Sequence, residues 1–140
     1  MYHTVIVVGY LGGDPEMRYI PSGTPVTNFS LATSTKYTSA SNELIEETVW
    51  FRVSVFGKQA ESSNTYLKKG SLVLIEGRLK PDPKTGAPRT FTKKDGSAGA
   101  SYELTAQNVK FLTSAKSSIG SDIDTSTAIH EGEEGDSIPF

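Results

Sequence analysis

Trp50, Arg52 and Phe56 stand at alternate positions of one apolar-rich stretch, Thr48 to Phe56. Successive side chains of an extended chain point to opposite faces. Val49, Phe51, Val53 and Val55 therefore share one face, and Trp50, Arg52, Ser54 and Phe56 the other. The first set is the better core face. The second leaves two aromatic rings outside beside a guanidinium, a platform on which nucleobases stack at about 1–3 kcal/mol per base. The same rings also suit a place under the long excursion of residues 81–100, or against another subunit. Spacing alone leaves both uses open.

Cations recur along the chain at Lys36, Arg52, Lys58, Lys68, Lys69, Arg78, Lys80, Lys84, Arg89, Lys93 and Lys94, several of them in two long loops beside Tyr37 and Phe91. Cations interleaved with aromatics match a single nucleic-acid strand, in which phosphates and bases alternate. Taken one at a time, each lysine is also ordinary solvated charge.

Catalytic chemistry finds little support. Glu46 and Glu47, like Glu133 and Glu134, are adjacent in sequence, so their side chains diverge and do not form an acid–base pair by spacing. His3 and His130 stand apart from any nucleophile. Gly9-Tyr-Leu-Gly-Gly13 lacks the Lys-Ser/Thr pair of a phosphate loop and the spacing of a dinucleotide fingerprint. There is no cysteine, which excludes disulfides, thiolate metal sites and thiol nucleophiles. No metal or cofactor is expected.

The elements that must hold these residues are short. Thr4 to Leu11 is β-branched and apolar on both alternating faces, as in a strand buried on both sides. Val26 to Thr33 reads as a second strand, and the polar residues 34–46 as a mobile hairpin loop. Thr48 to Phe56 is the third. A helix follows over Gln59 to Leu67, with Lys68 and Lys69 in its last turn and Gly70 just past its end. Leu72 to Lys80 and Tyr102 to Leu112 complete five strands. Five strands with one helix between the third and fourth give the element order of an OB-fold, an all-β, five-stranded Greek-key barrel.

Apolar periodicity stops after Thr113. Residues 1–113 are expected to form the barrel domain, 114–132 a disordered linker and 133–140 a distinct acidic tip. Charge follows that division. Residues 1–116 hold all fourteen Lys and Arg against ten acids, a net +4, whereas residues 117–140 hold six acids and no cation. No apolar run approaches the ~20 residues of a membrane helix. The first strand has neither the positive flank nor the cleavage site of a signal peptide. A soluble, cytoplasmic protein with no membrane partner is expected.

Six segments carry a resemblance: Val8-Gly-Tyr-Leu-Gly-Gly-Asp-Pro-Glu-Met-Arg-Tyr19, Asn28-Phe-Ser-Leu-Ala-Thr33, Trp50-Phe-Arg-Val-Ser-Val-Phe-Gly-Lys58, Tyr66-Leu-Lys-Lys-Gly-Ser71, Ile75-Glu-Gly-Arg-Leu79 and Ile138-Pro-Phe140. In this order they resemble the bacterial-type single-stranded-DNA-binding protein family, over residues 4 to about 113 and the last three residues. The resemblance implies stacking by Trp50, Phe56, Tyr37 and Phe91. The cations above, Lys84 apart, would meet phosphates. It also implies a homotetramer and sequence-independent binding in replication, recombination and repair, without catalysis. Recruitment of replication and repair proteins would fall to Asp136, Ile138, Pro139 and Phe140. Two departures stand out. Ser137 interrupts the acidic run before Ile-Pro-Phe, and residues 81–90 look like an insertion ahead of Phe91.

Overall fold

A computed structural model describes residues 1–113. The elements are β1 (Val5–Leu11), β2 (Glu16–Tyr19), β3 (Pro25–Thr38), β4 (Leu44–Phe56), α1 (Lys58–Tyr66), β5 (Leu72–Leu79), β6 (Arg89–Thr92) and β7 (Ala98–Phe111). Neighbouring strands run in the order β1-β5-β7-β4-β3, and β1 then pairs with β3, so these five close on themselves. All pairings round the ring are antiparallel except β4 with β7, which is parallel. The result is the expected five-stranded barrel. β2 adds to the outer edge of β3, and β6 to β7.

One alternate set from each barrel strand fills the interior: Val7 and Leu11, Phe29 and Leu31, Val53 and Val55, Val73 and Ile75, and Leu104. Ala60 and Leu67 join this cluster from α1 and the residue after it. The helix is pinned there by the buried hydroxyl of Thr27, which donates to the Ala60 carbonyl at 2.6 Å. The Gln59 side chain holds the far side of the helix to β7, donating to the Gln107 carbonyl at 2.8 Å and accepting from the Val109 amide at 2.9 Å. Removing most of one central side chain leaves a cavity that such a small core does not refill. Ile75→Ala should therefore lower stability by about 2–5 kcal/mol, read from urea denaturation.

The structure departs from the sequence reading at four places. β1 is buried on one face only; Ile6, Val8 and Tyr10 stand exposed on the other, with Ile6 at 62%. Residues 34–46 are not a loop for most of their length. β3 and β4 run on past the barrel as a two-stranded arm, paired as far as Thr38↔Leu44, and only residues 39–43 turn. Both faces of that arm are wet, so polar residues dominate it and no alternation marks it, with Leu44 and Tyr37 left exposed. β2 and β6 lie in stretches read as connections. The helix ends at Tyr66, and the backbone at Leu67 is already extended. Lys68 and Lys69 thus belong to the following turn, where Gly70 adopts φ +86° and donates its amide to the Leu11 carbonyl at 2.8 Å.

Candidate nucleic-acid interface

The strand register writes the outer surface out row by row. Ala32 on β3 faces Trp50 on β4; Ser30 faces Arg52, Asn28 faces Ser54, and Val26 faces Phe56. On the other side of β4, Arg52 is level with Glu103 and Ser54 with Thr105 of β7. Beyond these rows, β2 supplies Glu16 opposite Asn28 and Arg18 opposite Val26, while β6 sets Arg89 opposite Ser101. β2 and β6 therefore form the two banks of a groove whose floor is β3, β4 and β7.

Two cavities occupy this groove. One, of about 590 Å³, is lined by Arg18, Arg52, Lys80 and Arg89, by Phe56, and by the acids Asp14, Glu16 and Glu103. The other, of about 420 Å³, lies along β4 and β7 and includes Trp50, Arg52, Ser101 and Tyr102. Trp50 is 54% exposed and Phe56 42%. A ring left this open over polar surroundings has area available for a flat partner, which is the geometry that stacking requires. The Ser54 hydroxyl, donating to Asn28 Oδ1 at 2.7 Å, holds the polar floor between them.

Of the residues expected from sequence, Trp50, Arg52, Phe56, Lys80 and Arg89 converge on this groove. The others lie elsewhere. Tyr37 and Lys36 are on the arm; the Tyr37 hydroxyl donates to Glu47 at 3.1 Å, and Lys36 pairs across the strands with Glu46. Phe91 is on the β6 bank, its ring over Gly99, where a Cβ would come within 2.8 Å of it. Lys93 and Lys94 belong to the β6–β7 turn, which Asp95 organises by accepting from the Ser97 hydroxyl and amide. Those two bonds hold the Asp95 carboxyl below its ordinary range. Lys58 opens α1, and Lys68 and Lys69 lie in the turn that the Asp14 carboxylate ties down through the Lys69 amide at 2.9 Å. Arg78 faces Thr105 on the β5 side. The tip residues Asp136, Ile138, Pro139 and Phe140 lie outside the described residues, as does the expected linker.

Sequence reasoning missed Arg18 as a groove cation, because β2 itself went unread. It also gave no place to Asp14, Glu16 and Glu103, which temper the positive charge of the groove. Among the described residues no group of three or more His, Asp or Glu side chains is placed to hold a metal ion, and no helix is long and apolar enough to cross a membrane.

A profile of the single-strand binding protein family matches residues 2–112. The chain belongs to this family. Single-stranded DNA-binding proteins of Neisseria meningitidis, serogroups A and B, are 40% identical to it over 108 residues, covering 77% of this chain and 58% of theirs. The chain thus spans well under two thirds of the length of those relatives. The Aquifex aeolicus single-stranded DNA-binding protein is 37% identical over 116 residues, 83% of this chain and 74% of the relative. Among solved structures, a deletion mutant of the Thermus aquaticus single-stranded DNA binding protein superposes with a TM-score of 0.60 at 29% identity, covering 79% of this chain and 50% of that one. The Plasmodium falciparum member, solved in complex with single-stranded DNA, shares the fold, with a TM-score of 0.65 at 24% identity over 81% of this chain and 97% of that one.

Proposed function

We propose that this member of the single-strand binding family holds single-stranded DNA in the β2–β6 groove without sequence preference. The observation that carries this reading is the pair of half-exposed rings on one face of β4, Phe56 among Arg18, Arg52, Lys80 and Arg89 and Trp50 beside Arg52. The rings take bases by their faces, which every base has, and the cations neutralise phosphates. Tyr37 on the arm and Phe91 on the β6 bank extend the stacking path outward. Lys36, Lys58, Lys68, Lys69, Arg78, Lys93 and Lys94 add to the field that draws the strand in. The protein works in replication, recombination and repair in the cytoplasm, on nucleoid DNA, and it needs neither catalysis nor a cofactor.

Titration with oligo(dT), followed by tryptophan fluorescence at several salt concentrations, tests the groove. Trp50 is the sole tryptophan, so the signal reports on one ring. Quenching should accompany binding. The log–log salt slope should approach about −0.7 per neutralised phosphate, or roughly −3 for four groove cations. A flat salt response with unquenched fluorescence is the opposing result.

The exposed row of β1 supports a homotetramer. Val8 faces Leu74 and Tyr10 faces Leu72 on β5, so an apolar strip continues across two strands. Sedimentation equilibrium should report a tetramer at micromolar concentration, and Val8→Glu should shift it to smaller species.

Residues 114–132 serve as a linker, and residues 133–140 recruit replication and repair proteins. Phe140 supplies a ring for a partner's pocket, and Pro139 limits the conformational freedom lost on docking. The six acids of residues 117–140 favour a basic pocket rim. Truncation after Gly135 should leave oligo(dT) affinity unchanged, or slightly higher at low salt, and should abolish capture of those partners. Retained capture, or lost DNA affinity, is the outcome against this division.

A further inference from the structure

The geometry points to Gly12 as the residue that sets the position of the Trp50 ring. Gly12 follows β1 directly and shares the outward parity of Tyr10. Its amide donates to the Ser30 carbonyl at 3.0 Å, which fixes its backbone beside the Ser30–Arg52 row of the groove floor. A Cβ built on Gly12 would lie 2.4 Å from Trp50 Cζ3 and 2.9 Å from Cη2, with Ser30 Oγ at 3.0 Å. Ordinary carbon contacts lie near 3.5–4.0 Å. The six-membered part of the indole thus rests on the bare backbone of Gly12, and the other side of the ring stays open. Gly13, one residue on, has nothing within 4 Å of the same construction.

The obstructing atoms are the far end of a side chain, not backbone. A methyl group at position 12 is therefore accommodated by swinging the ring outward while the barrel stays intact. What changes is the height and tilt of the stacking face relative to Arg52 and Phe56. Gly12 is in this sense a positioning residue, and its effect on DNA rests on the reading that Trp50 stacks on a base.

The test uses the full chain and compares Gly12→Ala with Gly13→Ala. In the free protein, the emission maximum and acrylamide quenching of the single tryptophan should change in Gly12→Ala and stay at wild-type values in Gly13→Ala, with equal melting temperatures. Affinity for oligo(dT) should fall about fivefold or more in Gly12→Ala. In a Trp50→Ala background the same substitution should cause no further loss.

Unchanged emission and quenching in Gly12→Ala overturn the proposal, and so does an equal loss of affinity with the ring absent. If Gly12→Ala fails to fold, the double variant Gly12→Ala/Trp50→Ala decides. A folded double variant places the conflict at the ring; an unfolded one shows that the backbone, not the ring, needs the glycine. Absence of oligo(dT) binding by the wild-type protein would count against the groove function alone, since the spectra of the free protein still judge the seat.

Discussion

Trp50→Ala should weaken oligo(dT) binding by about 1–3 kcal/mol, which is roughly 5- to 150-fold. The ring is half-exposed at the β4–β7 cavity and makes none of the core contacts held by Val53 and Val55 on the opposite face of the strand. Its removal takes away a stacking surface and little packing, so the melting temperature should move much less than the affinity. Phe56→Ala should show the same split, with a somewhat larger stability component because Phe56 covers the buried Val26 opposite it. The two rings are three rows apart on one strand and meet different bases, so their losses should add. Equilibrium titration of both single variants and the double, at fixed salt, checks this. Unchanged affinity with a dissociated oligomer would instead place the rings at a subunit contact.

The largest stability effect is expected from Gly9→Val. β1 closes the barrel against β3 through only two register positions, Tyr10↔Ala32 and Leu11↔Leu31. A Cβ on Gly9 would sit 2.3 Å from the Ala32 carbonyl oxygen and 3.0 Å from its carbon. Here the obstacle is backbone at the seam itself, and it has no rotamer to change. Relief requires parting β1 from β3, which exposes the core residues Val7 and Leu11. A loss of about 3 kcal/mol or more is expected in urea denaturation. Gly13→Ala, with open space around it, should stay within about 0.5 kcal/mol of wild type. Equal stability of the Gly9 and Gly13 variants would show that the seam tolerates separation.

What could be read from the sequence was whatever a buried face stamps on it. Phe51 to Phe56 alternates because one side of β4 lines the core with Val53 and Val55, and that alternation puts Trp50, Arg52 and Phe56 on one face. The other barrel strands left the same kind of trace; the helix, which buries only Ala60 and Ser63, left little of it. β2 and β6 left none. Each is four residues long, lies outside the barrel and buries little, so neither a hydrophobic period nor a length distinguishes it from a turn. Arg18 was overlooked for that reason, although it faces Val26 in the groove. The arm of β3 and β4 was hidden similarly, since two wet faces leave no alternation between apolar and polar residues. β1 misled in the opposite direction. Its outward Ile6, Val8 and Tyr10 read as a second buried face, which a single copy leaves exposed. Gly70, read as lying just past the helix, adopts a left-handed φ but serves a turn four residues beyond the last helical residue, Tyr66. The acids of the groove carried no signal at all, because charge on an outer face is what any strand would show.

The parallel pairing of β4 with β7 has a consequence for how the chain is made. Phe51, opposite Leu31 on β3, finds its second neighbour only in Tyr102, and β5 finds one neighbour in the same late strand. Synthesis delivers β1 to β5 first, but without β7 they form an open sheet with two unsatisfied edges, and the β3–β4 hairpin is the one unit among them with a long local register. The core residues Val53 and Ile75 face water until Leu104 arrives. Until β7 is available the sheet has exposed strand edges, a state that favours pairing with other chains. Closure then depends on contacts distant in sequence, which places folding toward the slow end for a domain of this size.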